Sequence, residues 1–156
     1  MLEINNTTKQ KINLKKTAAL AEDFLRVYKK AGGEVSLAIV GDARMRSLNY
    51  QYRGIDKATD VLSFVNSNLG GGPAKKLKNS DQYLGEIVIN IQEARRGKKY
   101  QEMLRELGMA SGQISADYIF YFLLIHGLLH LLGYDDQTVK GRQKMLKRGQ
   151  DFLSLH

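Results

Sequence analysis

His126-Gly127-Leu128-Leu129-His130-Leu131-Leu132-Gly133-Tyr134-Asp135-Asp136 decides the reading of this 156-residue chain. It holds two of the three histidines, four residues apart. On an α-helix that spacing means about 400° of rotation and about 6 Å of rise, so both imidazoles leave one face a turn apart. Two such nitrogens can share one metal ion. Gly133 stands where a helix ends in a left-handed turn. A chain folded back there brings Asp136 toward the same ion. The stretch predicts a metal site with His126, His130 and Asp136 as ligands and one position open.

The spacing H-x-x-x-H-x-x-G-x-x-D is that of the metzincin metal helix with two changes. Gly127 occupies the place of a peptidase's general-base Glu, and Asp136 the place of a third His. Histidine and carboxylate donors suit zinc, and also iron, nickel or manganese. Three protein ligands plus water describe a catalytic rather than a structural zinc. Such an ion lowers the pKa of bound water to about 7 and polarises a substrate oxygen, which permits ester, amide or phosphodiester hydrolysis. A carboxylate in place of the third imidazole makes the ion a weaker Lewis acid and favours harder metals. Asp135 could ligate in place of Asp136, or orient a ligand from behind. Either aspartate could also cap the next helix, and the plainer reading of the histidines is a hydrogen-bonded pair on a core helix. Without a Glu at 127 peptide hydrolysis lacks its base, whereas RNA carries a 2′-hydroxyl beside each phosphate.

Working outward, Ser115 caps a helix that runs to Leu132. Its longest apolar run, Tyr118–Ile125, falls short of the ~20 residues of a membrane span, so a buried core helix is expected. Leu2–Asn5 alternates as an opening strand. Leu14–Lys30 is helical, with Leu20, Phe24, Val27 and Tyr28 on one stripe. Val35–Val40 is a strand closed by Gly41. Asp42 caps a helix with Met45, Leu48 and Tyr52 inward, stopped by Gly54. Thr59–Val65 and Tyr83–Ile91 are strands. Residues 66–82 form a loop carrying Gly70-Gly71-Gly72 and Lys75, Lys76 and Lys78, expected to be mobile. Gln92–Leu107 is one basic helix. A last helix runs from Thr138 to about Leu155, with Val139, Met145, Leu146 and Phe152 inward. The pattern predicts an α+β fold: one domain over residues 1–156, a small mixed four-stranded sheet and about five helices.

The chain has no cysteine, which excludes disulfides, thiol chemistry and Cys-zinc sites and fits a reducing compartment. Its net charge of +8 points to a polyanionic partner such as RNA, DNA or anionic lipid, or simply to a basic surface. The polar start Met1-Leu2-Glu3-Ile4-Asn5-Asn6 carries no secretory signal.

A second constellation runs from Asn49 to Phe64. Arg53 lies at a helix end beside Gly54, where a guanidinium can hold a phosphate bidentately. The plainer alternative pairs it with Asp56 or Asp60. Thr59, Asp60 and Ser63 can be turn and strand-edge hydrogen-bonders without chemistry. Lys57 and the run Arg95, Arg96, Lys98 and Lys99 can touch phosphates, although each could equally be a solvated face. No aromatic-interleaved pattern indicates base readout.

Three blocks resemble the YbeY family, the bacterial endoribonucleases also called rRNA maturation factors. They are Tyr52-Arg53-Gly54 through Thr59-Asp60-Val61-Leu62-Ser63-Phe64; Leu84-Gly85-Glu86-Ile87-Val88-Ile89; and the His126–Asp136 stretch. The resemblance implies an α+β domain, one zinc ion on three histidines and a phosphate-facing arginine. It also implies single-strand RNA cleavage in ribosomal RNA maturation, at the 3′ end of 16S rRNA, in the cytoplasm with the small ribosomal subunit as partner. Carried over, His126 and His130 match the first two ligands and the catalytic histidines, and Arg53 the arginine. Asp136 departs from the family's third His, Glu86 from an Asp, and Ala58 from a common Pro. A metal-dependent endoribonuclease is the first reading. A non-catalytic RNA- or ribosome-binding factor with a weakened metal site is the alternative, and a zinc peptidase comes third. No membrane association is expected, and the oligomeric state is not encoded in any of these features.

Overall fold

A computed structural model describes residues 1–66 and 82–156. The expected glycine- and lysine-bearing loop, with Lys75, Lys76 and Lys78, lies outside the described residues. The elements in order are β1 (Leu2–Asn6), α1 (Leu14–Val27), β2 (Glu34–Val40), α2 (Asp42–Arg53), β3 (Val61–Val65), β4 (Tyr83–Asn90), α3 (Ile91–Arg96), α4 (Lys98–Glu106), α5 (Ala116–Leu131) and α6 (Val139–Leu153).

The four strands lie in the order β1-β2-β4-β3. β1, β2 and β4 are parallel, and the edge strand β3 runs antiparallel to β4. The register sorts the side chains into two faces. Leu37, Ile87 and Ser63 align across the sheet, as do Ile39, Ile89 and Val61. This face meets α1, α5 and α6 in the larger core. Ala38, Val88 and Leu62 align on the other face, where they pack against Met45 and Leu48 of α2. The α+β expectation is therefore met, as helices on both faces of a mixed sheet.

From Ile119 to Leu131, α5 is buried on every side except the stripe of His126 and His130. A helix apolar over the rest of its circumference belongs inside a core. Its start is capped as expected, the Ser115 hydroxyl accepting from Tyr118 N at 3.0 Å. Among the described residues no helix is long and apolar enough to cross a membrane.

Several boundaries differ from the sequence reading. The single basic helix 92–107 is two helices, because Gly97 adopts φ 59° and closes α3 before α4 begins. α2 is capped by the Gly41 backbone, and the Asp42 amide donates to the Gln92 side chain at 2.7 Å. β3 starts at Val61 because Asp60 spends its carboxylate on the Val61 amide in a turn. Val27, Tyr52 and Val139 are 61%, 38% and 72% exposed rather than inward. All three stand in the terminal turn of their helix: period fixes which way a residue points, not how far the neighbouring layer reaches.

Candidate metal centre and its cleft

α5 ends in a Schellman turn. Gly133 takes φ 91°, its amide donates to His130 O at 2.9 Å, and the Tyr134 amide donates to Leu129 O at 3.1 Å. The chain therefore doubles back over the last turn of α5. The two aspartates that follow diverge. Asp135 turns outward and accepts from Gln137 N at 2.8 Å, an Asx turn. Asp136 turns inward. Neither caps α6; Thr138 does, accepting from Gly141 N at 2.9 Å.

The result is a near-equilateral triangle of donors. His126 Nε2 and His130 Nε2 are 3.2 Å apart, and Asp136 Oδ2 is 3.4 Å from each. Tetrahedral zinc, with bonds of about 2.0–2.1 Å, sets its donors about 3.3–3.4 Å apart, whereas octahedral magnesium at the same bond length sets neighbours about 2.9 Å apart. The donor set and its spacing fit a tetrahedral ion. His130 Nδ1 faces the Tyr134 carbonyl at 3.1 Å, which can only accept, so Nδ1 is the donor nitrogen and Nε2 is the one turned to the triangle as a ligand atom. Burial, and secondarily the His130 ring beside it, pushes the His126 imidazole below its ordinary value, favouring the neutral form a metal needs. His126 Nδ1 is buried with no hydrogen-bond partner among the described residues.

Gly127 has a structural cause. A Cβ built there would meet Ile87 Cγ2 at 2.8 Å, with two further Ile87 carbons within 3.2 Å. The position faces the sheet at the crossing of α5 and β4. A Glu side chain has no room there.

The triangle opens into a cleft of about 290 Å³. β3 supplies Val61, Ser63 and Val65 from its α5-facing side, α2 supplies Arg53, and α4 supplies Lys99 and Tyr100. Among the described residues Arg53 has no ion-pair partner, and the alternatives raised for it are engaged elsewhere. Asp56 holds Arg46 bidentately at 2.7 and 3.0 Å. Asp60 accepts from the Tyr100 hydroxyl, from Val61 N at 2.7 Å and from Lys99 Nζ at 3.4 Å. Burial works to raise the Asp60 carboxyl, but the Tyr100 hydroxyl, the Lys99 charge and the Val61 amide outweigh it and hold it below the usual carboxylate range. Burial, then the Asp60 charge, drives the Tyr100 phenol far above its usual value, so it remains a neutral donor.

A second, more open groove of about 350 Å³ adjoins the cleft, sharing Arg53, Thr59, Asp60 and Lys99 with it and adding Lys57. The structure thus gathers His126, His130, Asp136 and Arg53 in one cleft and puts Lys57 beside it. Arg95 and Arg96 line neither space. Arg96 is held by Asp42 and Glu93, each at 2.6 Å. Asp60, Lys99 and Tyr100 are residues whose place in the cleft the sequence reading missed. They come from the end of a turn and the start of a helix 40 positions on, and no spacing links them.

The comparisons with known proteins fall on the same elements. The family model described as "Endoribonuclease YbeY" matches residues 3–155. The chain belongs to the endoribonuclease YbeY family. An endoribonuclease YbeY of Geobacillus sp. (strain WCH70) is 34% identical over 159 aligned residues, covering 99% of this chain and 92% of that one. The endoribonuclease YbeY of Moorella thermoacetica is 40% identical over 124 residues, covering 78% and 71%. A solution structure of a Thermotoga maritima protein is similar with a TM-score of 0.57 at 25% identity, over 97% of this chain and 86% of the other. The YbeY match runs through the end of α2, β3, the start of α4, α5 and the turn after it, the elements that line the cleft.

Proposed function

We propose that the cleft is the active site of a metal-dependent endoribonuclease, with His126, His130 and Asp136 holding one zinc ion and Arg53 holding the phosphate to be cleaved. The observation that carries this reading is the triangle of donors in one cleft with an arginine that has no ion-pair partner among the described residues, in a chain of an endoribonuclease family. A divalent ion held there polarises a phosphoryl oxygen and acidifies water.

The protein's own groups do the rest. The buried wall of α5 and the His130 bond to Tyr134 O fix the donors before any ion arrives, so little reorganisation is needed on binding. Arg53 lines the cleft with no ion-pair partner among the described residues and can take a phosphate through two parallel N–H bonds. Lys57 extends positive charge along the adjoining groove. Two imidazoles disfavour magnesium and calcium, which take oxygen donors. With Gly127 pressed on Ile87, no carboxylate can stand where a zinc peptidase keeps its base, which favours a phosphodiester substrate over a peptide. Single-stranded ribosomal RNA as substrate, the 3′ end of 16S rRNA as the place of action, the small subunit as partner and the cytoplasm as location are supported by the sequence resemblance.

The test is metal content by mass spectrometry beside cleavage of a single-stranded oligoribonucleotide by the native protein, His130→Ala and Arg53→Ala. About one zinc per native chain is expected, with cleavage abolished in His130→Ala. Arg53→Ala should keep its zinc and lose about 10²- to 10³-fold in kcat/KM, the size of losing one charge-stabilising group. Full activity in His130→Ala would refute the metal mechanism. A native protein that stays inactive after metal is added would favour the RNA-binding factor.

A further inference from the structure

Lys99 belongs to a basic run in the sequence, but the fold separates it from that run. Gly97 turns the chain between α3 and α4, and Lys99 in the first turn of α4 lines both the metal cleft and the adjoining groove, as Arg53 does. Arg53 and Lys99 are the cations among the described residues lining the cleft. Lys99 Nζ lies 3.4 Å from Asp60 Oδ2 and 5.4 Å from the centre of the Tyr100 ring. An optimal charged pair closes to about 2.7–2.9 Å, so this contact is loose.

Two further donors anchor Asp60. The Tyr100 hydroxyl donates to the same carboxylate oxygen, and Val61 N donates to the other at 2.7 Å. The Asp60 side chain is 13% exposed and that of Lys99 73%. An anchored, hydrogen-bonded carboxylate thus holds a solvent-facing ammonium at the junction of two grooves. When Lys99 leans toward a ligand, the Tyr100 hydroxyl and the Val61 amide still hydrogen-bond the carboxylate and hold it in place.

We propose that Lys99 and Arg53 form a two-cation clamp on adjacent phosphates of one RNA strand, and that Asp60, held by Tyr100, is the positioning residue that keeps Lys99 at the junction. The clamp rests on the endoribonuclease reading of the cleft. The strand's backbone then passes from the metal cleft into the groove, where Lys57 continues the positive charge. The pairing suits the two side chains, the arginine fork gripping one phosphate geometrically and the lysine serving as a point charge for the next.

The experiment is binding of a 2′-O-methyl phosphorothioate oligonucleotide, which resists cleavage, by fluorescence anisotropy over a salt series. Native protein, Lys99→Met, Lys99→Arg, Arg53→Met and Asp60→Asn are compared, with turnover of ordinary RNA measured in parallel. Loss of one phosphate contact on a single strand lowers the slope of log K against log salt by about 0.7. That loss is expected for Lys99→Met and for Arg53→Met, while Lys99→Arg keeps the native slope. Asp60→Asn frees Lys99 from the junction, so the slope should fall toward that of Lys99→Met and should not fall further in the double variant Asp60→Asn/Lys99→Met, a non-additivity that a merely structural role would not give. A native slope in Lys99→Met beside a reduced slope in Arg53→Met overturns the clamp and leaves the endoribonuclease reading standing. A native protein that neither binds nor cuts RNA removes that reading itself. A native slope in Asp60→Asn overturns the positioning role. Lys99 is exposed, so its substitution carries the test even if the Asp60 variant folds poorly.

Discussion

Asp135 and Asp136 are adjacent and chemically identical, yet one faces solvent in an Asx turn and the other completes the donor triangle. The sequence offers both, because offset from the histidines cannot say which way a side chain leaves a turn. Arg96 shows the same limit. As a charge in a basic run it reads as a phosphate contact, but in the fold it is tied to Asp42 and Glu93. The Arg96 guanidinium, with Asn90, holds the Asp42 carboxyl down at about 2 from 3.8. The folded value is depressed, so this contribution to stability is present above pH 3.8 and is lost as pH falls toward 2. Both side chains are substantially exposed, so screening keeps it modest. Arg96→Ala should raise the Asp42 titration toward 3.8 in a carboxyl NMR titration while leaving RNA affinity nearly unchanged. An unmoved titration would show that Arg96 does not hold this carboxylate.

At the scale of elements, α5 was legible almost to the residue, because an apolar helix with a Ser cap and a Gly stop leaves few alternatives. The 92–107 segment was not, because helical periodicity continues across Gly97 and only the φ of 59° breaks it. Gly127 was legible as a missing base but not as a contact. It is where α5 comes down on Ile87 of β4, one residue after His126 and three before His130. Gly127→Ala gains helix propensity of about 1 kcal/mol but drives a methyl against a buried β-branched side chain, typically about 1–3 kcal/mol. Net destabilisation of up to about 2 kcal/mol is expected in urea unfolding, with weaker metal retention as α5 lifts. A variant more stable than the native protein would mean that the crossing is not tight.

For the whole molecule, composition and pattern sufficed for the fold class, since every strand and all the helical segments, the α3–α4 break aside, announce themselves locally. The cleft did not, beyond its metal helix and Arg53. It is assembled from the end of α2, the inward face of edge strand β3, the first turn of α4 and the turn after α5, and the register that sends Val61, Ser63 and Val65 to the α5 side is a property of the sheet. Lys99, Tyr100 and Asp60 meet only there. The central claim is that this one cleft cuts RNA with a metal ion held by His126, His130 and Asp136. The most direct measurement is cleavage of a single-stranded oligoribonucleotide by the native protein after exhaustive chelation, followed by stepwise return of zinc. The account predicts no cleavage in the chelated protein and recovery that saturates at about one zinc per chain, as one three-donor site requires. Undiminished cleavage by protein shown to be metal-free would contradict it.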